Sequence, residues 1–130
     1  MTDQPNPPGN ISWVDLTVGG ESNAEEVRDF YQQVVGWTHE PVDMGDYQDF
    51  CMQSSDGQVV AGICHAQGAN ADLPTTWLVY ITVADIQASI AKCQASGGQV
   101  VKPIAKVGGG QFAVLKDPAG AVFAVYQAVS

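Results

Sequence analysis

The chain predicts an α+β fold in one domain, made of two βαβββ modules in tandem. Three observations lead there. A strand, a helix and three further strands are signalled in that order, and then signalled again. The second series copies the spacing of the first, so that Val18 matches Val83, Asp15 matches Tyr80 and Thr17 matches Thr82. The length of 130 residues suits one core and is short for two independent ones.

The opening MTDQPNPPGN has several prolines and no apolar run, so residues 1–10 are expected to form a flexible arm before a single domain over 11–130. The first strand starts near Ser12, where Val14, Leu16 and Val18 alternate with Trp13, Asp15 and Thr17. A helix follows in ESNAEEVRDFYQQVVGW: Ser22 or Asn23 caps it, with Glu25 or Glu26 at capping-box spacing. Val27, Phe30, Tyr31 and Val34 form its apolar stripe, and Gly36 ends it. Strands are expected at Trp37–Val42, Tyr47–Gln53 and Gln58–His65, divided by MGD and SSDG turns, and they complete module one at about 11–68.

Module two, about 77–128, opens with a strand over Trp77–Val83. Asp85 caps a helix carrying Ile86, Ile90 and Cys93, and Gly97-Gly98 stops it. Strands at Gln99–Pro103, Phe112–Lys116 and Ala121–Gln127 close the series. Gly108-Gly109-Gly110 lacks the order of a nucleotide-binding loop and precedes a strand, so it is a turn.

Composition narrows the function. Fourteen acids against five bases give a net charge of −9, which argues against nucleic acid or an anionic membrane as partner. No apolar stretch has the length of a membrane span, and the start does not resemble a secretory signal. Cys51, Cys64 and Cys93 have no metal-binding or redox spacing. Their odd number fits reduced thiols, and a cytoplasmic location is expected.

Five pieces occur in a telling order: WVDLTV, RDFYQQVVGW, VVAGI, YITVADI and KDPAGAVFAVYQ. Together they resemble the vicinal oxygen chelate superfamily, which includes glyoxalases, bleomycin-resistance proteins and extradiol dioxygenases. The resemblance implies that the two modules form a cupped, eight-stranded mixed sheet. It also implies a homodimer, with a small-molecule pocket near the dimer interface.

Metal-dependent members hold a divalent ion with four side chains from the first and last strands of each module. Here those positions fall on Trp13, Leu78, Ala124 and Ala61, or Gly62 in place of Ala61 if a bulge intervenes. None carries a donor atom, so neither metal nor another cofactor is expected. Strand parity adds neighbours to the inward face: Asp15 and Thr17, Tyr80 and Thr82, Val122 and Tyr126. Trp37 and Tyr47 could flank its mouth, although a Trp37 just after a helix-ending glycine fits a core plug better.

The lining is largely apolar, as a pocket for an apolar or aromatic molecule would be. Trp13 and Tyr80 could equally fill the space as core. Asp15 is a ligand anchor, a base, or a carboxylate held by a partner or water. The preferred register also turns His65 inward. The leading expectation is a metal-independent binder of a small apolar or aromatic compound. The alternative is a lyase, isomerase or cyclase using Asp15, Tyr80 and His65 as acid–base groups. A metal-dependent glyoxalase or dioxygenase fits less well.

Overall fold

A computed structural model describes residues 6–20 and 22–129. The elements are β1 (Ile11–Val18), α1 (Ala24–Val35), β2 (Thr38–Asp43), β3 (Gln48–Gln53), β4 (Val59–His65), β5 (Trp77–Thr82), α2 (Ile86–Ala95), β6 (Gln99–Val107), β7 (Gly110–Lys116) and β8 (Val122–Ala128). A single 3₁₀ turn at Gly68–Asn70 lies in the connector. The eight strands make a mixed sheet in the order β2-β3-β4-β1-β5-β8-β7-β6. Among the described residues, no helix is long and apolar enough to cross a membrane.

Chain contacts divide the molecule into two compact units, Val14–Trp77 and the rest. Trp13 and the residues before it group with the second module for a local reason. The Gly9 N–H donates to the Thr82 carbonyl at 2.7 Å, and the Thr82 N–H to that of Asn10 at 2.9 Å. Of the flexible arm expected over 1–10, residues 1–5 lie outside the described residues, while Gly9 and Asn10 are fixed to β5.

In the unit Val14–Trp77, α1 begins with reciprocal hydrogen bonds. The Glu26 N–H donates to Asn23 Oδ1 and Asn23 Nδ2 to Glu26 Oε1, both at 2.8 Å. Gly36, at φ 79°, ends the helix in the left-handed conformation that glycine adopts without strain. Ala24, Val27 and Tyr31 pack on Leu16, Val18, Phe50, Met52 and Ile63. The expected stripe is therefore narrower than four residues. Phe30 stays 57% exposed, because one residue step rotates it by about 100° from Tyr31, and Val34, in the last turn, is 61% exposed.

In the second unit Asp85 caps α2 by accepting from the Ala88 N–H at 3.1 Å. Ile86, Ala113, Leu115 and Val125 form the core beneath the helix, with Ile90 and Cys93 against it. Strand β6 does not stop at Pro103 as expected but runs on to Val107. It is the last strand in the sheet order, and its pairing with β7 shifts between Val100 and Ala105, where a proline costs no ladder bond.

Charge divides unevenly. Val14–Trp77 contains eleven of the fourteen acids but, of the five bases, only Arg28.

Candidate functional site

Strand register assigns every candidate to a face. β1 and β4 run parallel with Asp15 beside Gly62, Leu16 beside Ile63, Thr17 beside Cys64 and Val18 beside His65. Paired residues of adjacent strands share a side. Since Leu16, Val18 and Ile63 pack under α1, Asp15, Thr17, Gly62 and Cys64 point to the opposite face.

This corrects two expectations about β4. Pairing of β3 with β4 slips between Met52–Ala61 and Gln53–Val59, which leaves Val60 as an extra residue. The bulge reverses the parity counted from Gly57. Gly62, not Ala61, therefore lies beside Asp15, and His65 turns to the α1 side. There its Nδ1 lies 3.4 Å from Asp49 Oδ1 and its Nε2 3.2 Å from Glu25 Oε1. Asp49 Oδ1 also accepts the His65 backbone N–H at 2.8 Å. With a carboxylate at each ring nitrogen, His65 clamps the start of α1 to the ends of β3 and β4. It does not share a face with Asp15, and neither Asp49 nor Glu25 was marked as its partner by sequence.

The two aromatic residues weighed for the mouth are also on the helix side, Trp37 as the core plug that its place after Gly36 favours. Trp37 stacks on Tyr31 at 5.8 Å and meets Trp77 edge-on at 5.8 Å. Tyr47 meets the His65 ring at 5.4 Å. The helix-side core around Tyr31 takes up Trp37 because a large ring just past Gly36 covers the end of α1.

The second unit keeps the expected parity. Tyr80 pairs with Ala124 and Thr82 with Tyr126, while Phe112 and Val114 pair with Tyr126 and Ala124. These residues and Leu78 lie on the face opposite α2. Leu78, Tyr80, Phe112, Val114 and Ala124 are all buried, with Tyr80 and Phe112 rings 6.0 Å apart. Phe112 and Val114 were missed by sequence as members of this face, although the alternation in QFAVLK marks them once β7 is known to adjoin β8.

Polar groups on these faces are few and buried. Asp15 is 7% exposed, Thr17 2% and Thr82 7%. Among the described residues the Thr17 and Thr82 hydroxyl oxygens have no hydrogen-bond partner. Leaving such a group unmatched costs on the order of 1–3 kcal/mol, so native proteins usually match one with a protein, water or ligand partner. The two threonines occupy matching positions of the two modules. Burial, then the nearby Asp15 and Asp49 charges, pushes the Cys64 thiol pKa far up, which keeps it protonated and unreactive. Cys51 shifts the same way, mainly by burial.

Trp13, Gly62, Leu78 and Ala124 offer no donor atom for a divalent ion, so this set does not fit the metal of the metal-dependent relatives. Among the described residues no group of three or more His, Cys, Asp or Glu side chains is arranged to hold one.

Two βαβββ modules contributing to one eight-stranded mixed sheet define a class, the glyoxalase-like proteins of the vicinal oxygen chelate superfamily. The glyoxalase-like domain model matches residues 15–126, and the chain belongs to that family. It is 35% identical to the anthracycline biosynthesis protein DnrV of Streptomyces peucetius, over 92% of this chain and 47% of that one. It is 34% identical to the putative glyoxylase CFP32 of Mycobacterium bovis, over 92% and 46%. The chain thus spans about half the length of the curated relatives it matches. A glyoxalase/bleomycin resistance protein/dioxygenase superfamily member from Vibrio splendidus has the same fold, with TM-score 0.57 at 12% identity, covering 88% of this chain and 96% of that one.

Proposed function

We propose that this protein binds a small, largely apolar or aromatic molecule without a metal, through the sheet faces turned away from α1 and α2. The observation that carries the reading is the pair of buried hydroxyls, Thr17 and Thr82, which have no hydrogen-bond partner among the described residues and lie on faces with few other polar groups. On each face, a polar atom of a bound molecule would satisfy the hydroxyl there. Trp13, Leu78, Tyr80, Ala124 and Tyr126 supply apolar contact on the face of one unit, and Asp15 offers a polar anchor on the face of the other. The likeness to an anthracycline biosynthesis protein supports the ligand class, since anthracyclines are planar, fused-ring aromatics.

The test uses quinizarin, a planar anthraquinone, titrated by tryptophan quenching in the presence of EDTA. Thr17→Val with Thr82→Val should weaken binding by roughly tenfold while leaving the melting temperature equal or higher, because two unmatched hydroxyls are removed. Asp15→Asn should cost binding about 1.5–3 kcal/mol, the range for a charged hydrogen bond. Trp13→Ala should weaken it through lost ring contact. Unchanged affinity in all of these variants would reject the site. A two-fold homodimer belongs to the same reading. The strand order ends at β2 and β6, whose outer edges pairing would cover. Light scattering should give twice the 13.7 kDa chain mass.

A second reading is acid–base catalysis on the same faces, favoured by the buried Asp15 carboxyl and Tyr80 hydroxyl. Tyr80→Phe separates the two. A binder loses little affinity, whereas an enzyme using that hydroxyl loses about 10²-fold or more in turnover.

A further inference from the structure

We infer that Val14–Trp77 carries a second binding site, on its α1 side, for a small organic cation: an amine or ammonium group on an apolar or aromatic body. A groove of about 550 Å³ runs between α1 and the segment entering β5. Leu16 lies in its lining together with the rings of Phe30, Tyr31 and Trp77, while Glu26 and Thr75 add polar groups. The volume is within the range of small-molecule pockets, roughly 300–1,000 Å³.

Its chemistry selects for positive charge. Phe30 and Trp77 each meet Tyr31 edge-on at 5.2 Å, which gathers three ring quadrupoles into one lining. Trp77 Nε1–H donates to the Tyr31 hydroxyl at 2.9 Å, so the indole N–H is already matched within the site. Aromatic faces attract organic cations, and tryptophan does so best. The carboxylate of Glu26 has one oxygen fixed by Asn23 at 2.8 Å. Among the described residues of the lining it is the one carboxylate, and none of them is a lysine or arginine.

The surrounding charge agrees. Arg28, the single Lys or Arg of this unit, is held by Asp29 at 2.9 Å and lies over the Phe50 ring at 4.6 Å. Arg28 offsets Asp29, and it is a single base set against the eleven acids of the unit. A lone carboxylate is too few donors for a metal ion. An anion is repelled, and a neutral aromatic leaves the carboxylate unused.

The test compares phenethylamine with phenethyl alcohol, equal in skeleton and different in charge, by isothermal titration and amide chemical-shift mapping on the full chain. The amine should bind roughly tenfold tighter at low salt, with shifts centred on Phe30, Tyr31 and Trp77. Added NaCl should narrow the gap. Glu26→Gln keeps a side chain able to hydrogen-bond Asn23 and removes the charge. It should abolish most of the preference with little change in melting temperature. Phe30→Ser, at an exposed position, should weaken the amine several-fold.

Asp15→Asn should leave amine binding intact, so this site and the proposed sheet-face site can fail separately. Equal binding of the two compounds, no saturable binding of either in the millimolar range, a preference that survives Glu26→Gln, or shifts centred on Thr17 would each overturn the inference.

Discussion

His39 sits half-buried on β2, edge-on to the Phe50 ring at 5.5 Å, with Nδ1 against Gln32 Oε1. Burial, then the positive charge of Arg28, lowers its pKa below 6.5. The unfolded chain therefore takes up this proton at a higher pH than the folded one. Stability is full above about 6.5 and falls as pH drops through that value toward the depressed folded one. Melting temperatures taken between about pH 7.5 and about pH 5.5 should decline in the parent, and His39→Gln should decline less. Glu25 does not confuse this window. Its carboxyl is lowered from 4.5, chiefly by a backbone hydrogen bond, so its contribution disappears only in more acid solution. Equal pH slopes for parent and variant would remove His39 as the cause. At this scale sequence alone found Asp15 and Thr17, because an acid and a hydroxyl break an apolar alternation. It could not find the partners of His65, which lie 16 and 40 residues away in the chain.

Helix caps and turns were the most legible elements, since each depends on a few adjacent residues. Asn23 fulfils the capping-box spacing, and Asn23→Ala should cost about 1 kcal/mol, a fall of a few degrees in melting temperature. The β4 bulge was not legible. VVAGIC is apolar at nearly every position, so a one-residue slip leaves no mark on its pattern, yet it decides that Gly62 and not Ala61 adjoins Asp15. The end of β6 was hidden differently, because Pro103 signals a stop that an outer strand need not obey. Close approach of β7 to β8 gives a sharper test. A Cβ at Gly110 would stand 2.5 Å from the Gln127 carbonyl oxygen and 2.6 Å from the Tyr126 hydroxyl. Backbone cannot yield as a flexible side chain does. Gly110→Ala should destabilise by roughly 1–3 kcal/mol, while Gly109→Ala, with open space around it, should be far milder in the same denaturant titration.

At the scale of the whole chain, the repeat of elements disclosed the fold, but the separation of charge follows from where the two units divide. A net charge of −9 spread evenly would repel itself weakly. Concentrating eleven acids in Val14–Trp77 with Arg28 as their single base makes the repulsion local. Salt should relieve it, and the melting temperature should climb as NaCl rises from about 10 mM to about 300 mM, where the Debye length falls below 10 Å. Location can be separated from net charge with two substitutions of equal charge. Gln58→Lys adds a cation to the acidic unit, and Gln99→Lys adds one to the other; both positions are exposed. Local repulsion predicts that Gln58→Lys stabilises at low salt by roughly 0.5 kcal/mol, or a degree or two, whereas Gln99→Lys changes little. The advantage should vanish at high salt. If the two variants gain equally, only the total charge matters, and the acidic unit has no electrostatic character of its own with which to attract an organic cation.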